Sequence, residues 1–146
     1  MVMTLNIAKK ILSIGKEEAR KLGVPCSIAI VDDKGWLVAL HRMDGALSPT
    51  ADIARDKAWT AAVFKMPSSD VTRFGNPTSP GFGFNTQNWN DRLTTIAGGL
   101  PAEAGGKVIG GVGVCGGTTE QDVSLCQAVV EVISQLTSNK SGSRLT

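Results

Sequence analysis

The chain places four chemically active side chains in a row at the end of a predicted strand: His41, Arg42, Met43 and Asp44. An imidazole titrates near neutral pH and can act as a general base or a metal ligand, and a carboxylate can also act as a base. His41 is the only histidine and the cysteines are dispersed, so we predict no tetrahedral metal site within the chain. The structural alternatives are a hydrogen-bonded surface histidine and an Arg42–Asp44 ion pair.

A second polar block, residues 85–95, lies in an irregular stretch that extends from Gly75 to Gly99. A segment of this length and turn-residue content inside a compact domain is typical of a functional loop or a contact arm. The Asn88 amide can form hydrogen bonds, the Trp89 ring can stack on a ligand, and the Arg92 guanidinium can bind a carboxylate. The alternative is a loop whose Asn and Thr side chains satisfy its own backbone.

Lys57 falls on the inward stripe of a helix predicted from Ser48 to Lys65, beside small apolar residues such as Ala54 and Ala58. Residues three and four positions apart share a helix face, so this ammonium group needs a partner if it is buried. It can be a site residue that stabilises a carboxylate or an enolate, a role that Arg92 can also fill. The structural alternative is a lysine whose stem packs on the apolar edge while its charge reaches water.

Glycines are unusually dense in the stretch Ile109–Gly117, which leads directly into Thr118 and Thr119 at the start of the last predicted helix. Missing side chains in an apolar strand imply close approach of a ligand, a helix or another subunit. The pattern formally satisfies the dinucleotide fingerprint G-x-G-x-x-G, but only one helix and a polar tail follow it, which leaves no room for the required second strand. Close packing of the sheet against a helix or a subunit is therefore the default interpretation.

The same stretch is also a candidate ligand-binding site, because the first turn of a helix exposes unpaired N–H groups. Thr118 and Thr119 would add hydroxyl groups to this site. Cys115 stands just before the helix, where the helix N-terminus would lower the pKa of its thiol. No histidine is adjacent in sequence, and a buried thiol is the favoured interpretation.

The composition is that of an ordinary globular protein of 146 residues, with 42% hydrophobic and 19% charged residues and a net charge of +2. The basic residues are scattered, which argues against nucleic-acid binding. Cys26, Cys115 and Cys126 form no C-x-x-C pair, which favours free thiols in a reducing compartment. The amino terminus does not resemble a signal peptide, and no apolar run approaches the roughly 20 residues that span a bilayer. We therefore expect a cytoplasmic protein without membrane partners.

Hydrophobic periodicity and turn residues predict three helices and four strands. The helices are predicted over Thr4–Leu22, Ser48–Lys65 and Thr119–Thr137, and the strands over Cys26–Val31, Trp36–His41, Leu100–Ala104 and Val108–Val114. Two hairpins joined by helices in this order predict an α+β domain with an antiparallel sheet. We expect a single domain over residues 1–138 and a polar tail over residues 139–146.

Several ordered blocks carry a family resemblance: Ser27–Gly35, Leu40–Ala46, Ala54–Ala61, Gly98–Pro101, Gly106–Val114 and Gly116–Asp122. Together they resemble the GlcG-like, haem-degrading (HbpS-like) family over nearly the whole chain. The resemblance implies a profilin-like α+β fold with a five-stranded antiparallel sheet, and assembly as dimers that build toward octamers. It also implies haem as a candidate ligand, for which the ordinary axial donors in this sequence are His41, the cysteines, Met43 and Met66.

Residues and resemblance together predict an oligomeric small-ligand-binding protein, accessory to a catabolic pathway, with haem or another tetrapyrrole as the candidate ligand. We expect the ligand against Gly110–Gly117, with its anionic group held by Arg42 and Arg92. The full set of expected ligand-binding residues is Arg42, Asn88, Trp89, Arg92, Cys115, Thr118 and Thr119.

Two other classes of function stay open. The first is a cofactor-free isomerase, lyase or hydrolase of a small organic intermediate, whose expected catalytic residues are Asp44, His41, Lys57 and Arg92. The second is an assembly subunit without a ligand, which is favoured if the glycine-rich strand packs wholly against another subunit.

Overall fold

The structure, a computed structural model, describes residues 1–84 and 90–138 of the chain. Its helices are α1 (Leu5–Leu22), α2 (Pro49–Phe64) and α3 (Thr119–Ser138). A 3₁₀ helix, Ser68–Gly75, follows α2. The strands are β1 (Ser27–Asp32), β2 (Leu37–Arg42), β3 (Gly99–Ala104) and β4 (Lys107–Cys115), and they form an antiparallel sheet in the order β2-β1-β4-β3.

Local signals place the first helix and the first hairpin. The Thr4 hydroxyl accepts a hydrogen bond from the Ile7 N–H at 3.2 Å, and Gly23 ends α1 with a φ of 68°. Between β1 and β2, the Asp32 carboxylate accepts hydrogen bonds from two backbone N–H groups, and Gly35 adopts a φ of 84°. The hairpin makes β2 an edge strand of the sheet.

Helices cover both faces of the sheet. On one face, α1 and α3 enclose the main core, to which β1 contributes Ile28 and Ile30. On the other face, α2 packs Ala58 against Ala29 and Val31. Because alternate residues of a strand face opposite sides, the register of β2 on β1 decides which helix layer each β2 side chain meets.

The glycine-rich strand β4 lies directly beneath α2. A Cβ atom at Gly111 would collide with the Ala58 carbonyl oxygen, and one at Gly113 with the Ala54 carbonyl oxygen. The helix backbone therefore touches the strand, and any side chain larger than hydrogen would push the two apart. Close packing of sheet against helix is confirmed, and α2 fills the space over Gly111 and Gly113 where a ligand was expected.

The predicted α+β architecture with an open antiparallel sheet is confirmed. The five strands implied by the resemblance are corrected to four in the part of the chain that the structure describes. The connection between α2 and β3 contains Pro67, Pro77 and Pro80, which cannot donate to a sheet, and its described part forms the 3₁₀ helix and turns instead. The profilin-like classification stays a prediction, and the predicted tail at 139–146 lies outside the described residues. No helix among residues 1–84 and 90–138 is long and apolar enough to cross a membrane.

Candidate functional site

An open groove of about 610 Å³ lies between α1 and the end of β2. Both elements contribute to its lining, which consists of Lys16, Arg20, Leu40, His41, Arg42, Met43 and Asp44. The volume falls within the range of small-molecule sites. Three cationic residues and one acidic residue line the groove, so its lining has a net positive charge that favours an anionic ligand, although Arg20 also pairs with Glu17.

Helix periodicity and strand register bring Lys16, Arg20 and His41 to one side of the sheet, whereas Leu40 and Arg42 alternate with His41 and project to the α2 side. Lys16 and Arg20 stand four residues apart on α1 and therefore share one face of the helix. His41 pairs with Ile28, whose side chain is buried in the core beneath α1 and α3. Paired residues of neighbouring strands project to the same face, so His41 lies on the α1 side of β2. The imidazole is exposed at the edge of the sheet, where a ligand can reach it.

The polar side chains of the groove are only partly engaged by the protein itself. Arg42 Nη1 donates to the Ala46 carbonyl oxygen at 3.1 Å, and the Arg42–Asp44 ion pair that the sequence offered as an alternative does not form. Within residues 1–84 and 90–138, the side chains of His41 and Asp44 have no hydrogen-bond partner. Arg20 Nη1 lies 3.4 Å from Glu17 Oε2 in an exposed ion pair. The groove thus presents the His41 imidazole, the Asp44 carboxylate and the Lys16 ammonium group to a ligand.

Lys57 lies elsewhere, in the buried layer between α2, β4 and α3. Its Nζ donates to the Val114 carbonyl oxygen at 2.8 Å and to Asp122 Oδ2 at 3.4 Å, and the residue is 1% exposed. The other carboxylate oxygen of Asp122, itself 4% exposed, accepts the Gly117 N–H at 2.9 Å. The ammonium group therefore has a buried partner, and it does not line the groove.

Polar groups at the start of α3 form hydrogen bonds with one another. The Thr118 hydroxyl accepts the Gln121 N–H at 3.2 Å, while Gln121 Oε1 accepts the Thr118 N–H at 2.9 Å, which is a capping box. Thr119, at the first position of the helix, is exposed and does not line the groove. Two of the N–H groups expected to receive a ligand are thus already bonded within the chain.

Desolvation raises the pKa of all three thiols. Burial raises the pKa of the Cys115 thiol, and the nearby Lys57 ammonium lowers it by less, so the expected lowering is wrong; the residue itself is half-buried rather than buried. Burial likewise raises the pKa of Cys26 to about 11 and that of Cys126 to about 12. These thiols are poor nucleophiles near neutral pH.

Arg92 belongs to the segment that leads into β3, at the opposite edge of the sheet from β2. Its carbonyl oxygen accepts the Thr60 hydroxyl at 3.3 Å, which holds the segment against α2. Its guanidinium lies near the Asp56 carboxyl group. Burial raises the pKa of this carboxyl group, and the charges of Arg55 and Arg92 lower it by less. The structure therefore does not bring Arg92 together with Arg42. Asn88 and Trp89 lie outside the described residues.

Lys16 and Arg20 complete the groove although the sequence analysis did not single them out. The available signal is two cations at helical spacing on the polar face of α1, a pattern that usually marks a solvated surface. Only the packing of α1 beside β2 converts this pair into part of a site.

A sequence model of the family described as "Haem degrading protein HbpS-like" matches residues 3–131. The chain belongs to this family. It is 35% identical over 134 residues to an uncharacterized 15.0 kDa protein of Citrobacter freundii from a dhaT-dhaS intergenic region, covering 92% of this chain and 94% of that protein. It is also 34% identical to the Escherichia coli protein GlcG over 114 residues, which covers 78% of this chain and 81% of GlcG. The predicted GlcG-like and HbpS-like assignment is confirmed.

A further relative is a corrinoid adenosyltransferase, PduO of Salmonella typhimurium, with 31% identity over 81% of this chain. The match spans 35% of the length of PduO. Among solved structures, protein ORFY of Klebsiella pneumoniae has a TM-score of 0.81 with 32% identity, and covers 90% of each chain. A structure described as a PduOC:heme complex has a TM-score of 0.80 with 27% identity, and covers 90% of this chain and 94% of the other.

Proposed function

We propose that this protein binds haem, or a related carboxylated tetrapyrrole, in the groove between α1 and β2. The observation that carries the proposal is the position of His41. The sole histidine of the chain, exposed and without a hydrogen-bond partner in the described part, lies in a groove with three cationic side chains. A haem complex of a related structure supports the same ligand class.

The donor set of the groove fits this ligand. A histidine is the usual proximal ligand of haem iron. Lys16 and Arg20, on the same side of the sheet as His41, match the two propionate carboxylates that haem carries, and Arg42 adds a positive charge at the end of β2 from the α2 side. Met43 supplies half-buried apolar surface beside the macrocycle, whereas the Leu40 side chain packs on the opposite, α2 side of the sheet. Bound haem would supply an iron centre for ligand binding or electron transfer, and the residues of the groove would hold and orient it.

The test is a titration of haemin into the reduced protein, followed by the Soret band and by native mass. We expect a saturable Soret shift with a fixed stoichiometry, and the loss of that shift in the His41→Ala variant. Arg73→Gln is a matched control, because Arg73 is an exposed cation on the 3₁₀ helix away from the groove. An unchanged titration of the His41→Ala variant would contradict the proposal.

The proposal also covers domain organisation, assembly and cellular location. We propose a single domain over residues 1–138 that self-associates, from dimers toward octamers, and acts in the cytoplasm as an accessory to a catabolic pathway. The native mass in the same titration tests the assembly. A monomer at micromolar concentration, with or without haemin, would remove that part of the proposal.

The alternative is a cofactor-free enzyme that acts at the same groove. One observation favours it: His41 and Asp44 line one groove with three cations, so a base and an oxyanion partner are present together. Of the other expected catalytic residues, Lys57 is buried and Arg92 lies at the far edge of the sheet. Turnover of a small carboxylated substrate that survives in an Asp44→Asn, His41→Ala double variant would remove this alternative.

A further inference from the structure

The two edges of the sheet differ in how their outward backbone groups are satisfied. Resting on the self-association in the proposed function, we infer that β2 pairs antiparallel with β2 of a second copy of this chain, about a two-fold axis at His41. Both copies then contribute Lys16, Arg20 and His41 to one trough.

The β3 edge is closed to a further strand. The Gly99 N–H donates to Ser68 Oγ at 3.0 Å, and Pro101, which points the same way along the strand, has no N–H. After Ala102 the register of β3 on β4 shifts, which interrupts the ladder. Prolines and bulges of this kind are common protections of a sheet edge.

The β2 edge is open at two positions. The Met43 N–H donates to the Cys26 carbonyl oxygen at 3.0 Å, so the Met43 N–H faces β1. Because backbone groups alternate in direction along a strand, Leu40 and Arg42 direct their N–H and C=O groups away from β1. Within residues 1–84 and 90–138 these outward groups have no hydrogen-bond partner. Such an edge is a template for an added strand.

The irregularity of β2 and its charges select the register. The register of β2 on β1 shifts at Val38, so the regular free edge is confined to Ala39–Arg42. An axis at His41 forms two equivalent Leu40–Arg42 pairs and uses every outward group of this stretch. An axis at Leu40 would place Arg42 opposite the irregular Val38. An axis at Arg42 would place two guanidinium groups directly opposite each other, which is unfavourable.

A second copy is the occupant because the same two residues supply the donors and the acceptors on both sides of the seam. A two-fold axis also closes the assembly, since each edge is used once. The axis is perpendicular to the sheet, so both α1 helices lie on one face and flank the seam. The open side of each groove is thereby closed by the groove of the other copy, and the trough carries Lys16 on both walls.

Disulfide trapping in the full-length protein tests the register. The background is Cys115→Ser, because Cys26 and Cys126 are fully buried. At the axis, His41 and His41 of the second copy form a non-hydrogen-bonded pair with Cα atoms about 4.5 Å apart, which a disulfide can bridge. We expect His41→Cys to form a covalent dimer with oxidised glutathione. Ala39→Cys is the matched control on the same face, because its two copies lie about 14 Å apart and should not cross-link.

A proline at Leu40 tests the backbone pairing itself. Leu40→Pro removes the outward N–H and leaves the bonds to β1, whereas the matched Leu40→Ala loses the same side-chain contacts and keeps the N–H. Each dimer of Leu40→Pro loses two backbone hydrogen bonds. We therefore expect its dissociation constant, measured by analytical ultracentrifugation, to be about tenfold or more above that of Leu40→Ala. Amide exchange of β1 and β4 shows whether both variants keep the fold.

Three results would overturn the inference. The first is an assembled protein in which the two folded Leu40 variants dissociate equally or His41→Cys gives no covalent dimer; self-association would then stand and use another surface. The second is a cross-link that needs Ala39→Cys and His41→Cys together, which would move the axis to Leu40. The third is a wild-type chain that stays monomeric at micromolar concentration, which would remove the self-association as well. Haemin titration of the wild type tests the ligand separately in every case.

Discussion

Two clusters of charged side chains in this protein have similar chemistry and opposite surroundings. The buried cluster joins Lys57 and Asp122 between α2, β4 and α3, and each charged group is held by a backbone partner as well as by the other. The groove brings Lys16 together with His41 and Asp44 at the edge of the sheet, where the imidazole and the carboxylate have no partner in the described part of the chain. Residue type alone does not separate the two.

The difference lies in what each cluster leaves unsatisfied. A buried charge without a partner is costly, so the fold itself provides the partners for Lys57 and the cluster is complete without a ligand. Exposed groups incur no such cost because water solvates them, so they can remain without a protein partner until a ligand binds. The buried cluster has all its partners within the chain, which indicates a structural role. The groove has polar side chains without partners, which indicates a binding role.

Removal of the buried cation is the change with the largest expected effect. Lys57→Ala leaves the Asp122 carboxylate without its cation in an apolar layer, and we expect a loss of about 3–5 kcal/mol in the free energy of unfolding. Urea denaturation measures this as a lower midpoint with an unchanged slope. Lys16→Ala, the matched lysine of the groove, should change the stability by no more than about 0.5 kcal/mol.

A double variant sharpens this first comparison. Replacement of both partners, Lys57→Met with Asp122→Leu, removes the buried charges together and should recover much of the loss. If Lys57→Ala is no more destabilising than Lys16→Ala, the buried cluster does not stabilise the fold, and a functional role for Lys57 has to be reconsidered.

The elements themselves follow from local patterns, which is why they could be predicted. The cap at Thr4, the stop at Gly23 and the turn at Gly35 act over a few residues, and each has the predicted conformation. The small residues of α2 and the glycines of β4 are complementary, so their close packing was also predictable. The 3₁₀ helix after Pro67 was not, because short 3₁₀ segments have no strong periodic signal.

The site was predictable only in part, because it depends on contacts that are distant in sequence. His41, Arg42 and Asp44 are close in the chain and stay together in the groove. The contribution of Lys16 arises only when α1 packs beside β2. Arg92 was expected beside Arg42 because both are suited to anions, but the order of the strands places them at opposite edges of the sheet.

Substitutions of Thr118 at the start of α3 should have an intermediate effect on stability. They distinguish a helix-capping role of this residue from a ligand-binding role. Thr118→Ala removes the hydroxyl that accepts the Gln121 N–H, and we expect a loss of about 1 kcal/mol in the free energy of unfolding. Thr118→Ser keeps an acceptor and should retain most of the stability. Haemin affinity should be the same in both variants. A weaker Soret titration of Thr118→Ala at temperatures well below its unfolding would restore the helix start as a binding site.

The smallest effects concern the two arginines that the sequence paired and the structure separates. Arg42 lines the groove and is exposed, so its contact with a ligand carboxylate is worth no more than about 1 kcal/mol, which is about a fivefold change in affinity. Arg92 lies beyond the opposite edge of the sheet, and its replacement should leave the affinity unchanged. We therefore expect Arg42→Gln to weaken haemin binding by up to about fivefold and Arg92→Gln to have no effect.

Salt gives this last comparison an internal control. The contribution of Arg42 is electrostatic at an exposed site, so the difference between Arg42→Gln and the wild type should shrink as the salt concentration rises. The curve for Arg92→Gln should coincide with that of the wild type at every salt concentration. A loss of affinity in Arg92→Gln equal to that in Arg42→Gln would place the ligand against the segment before β3, and the groove would then be an ordinary solvated surface.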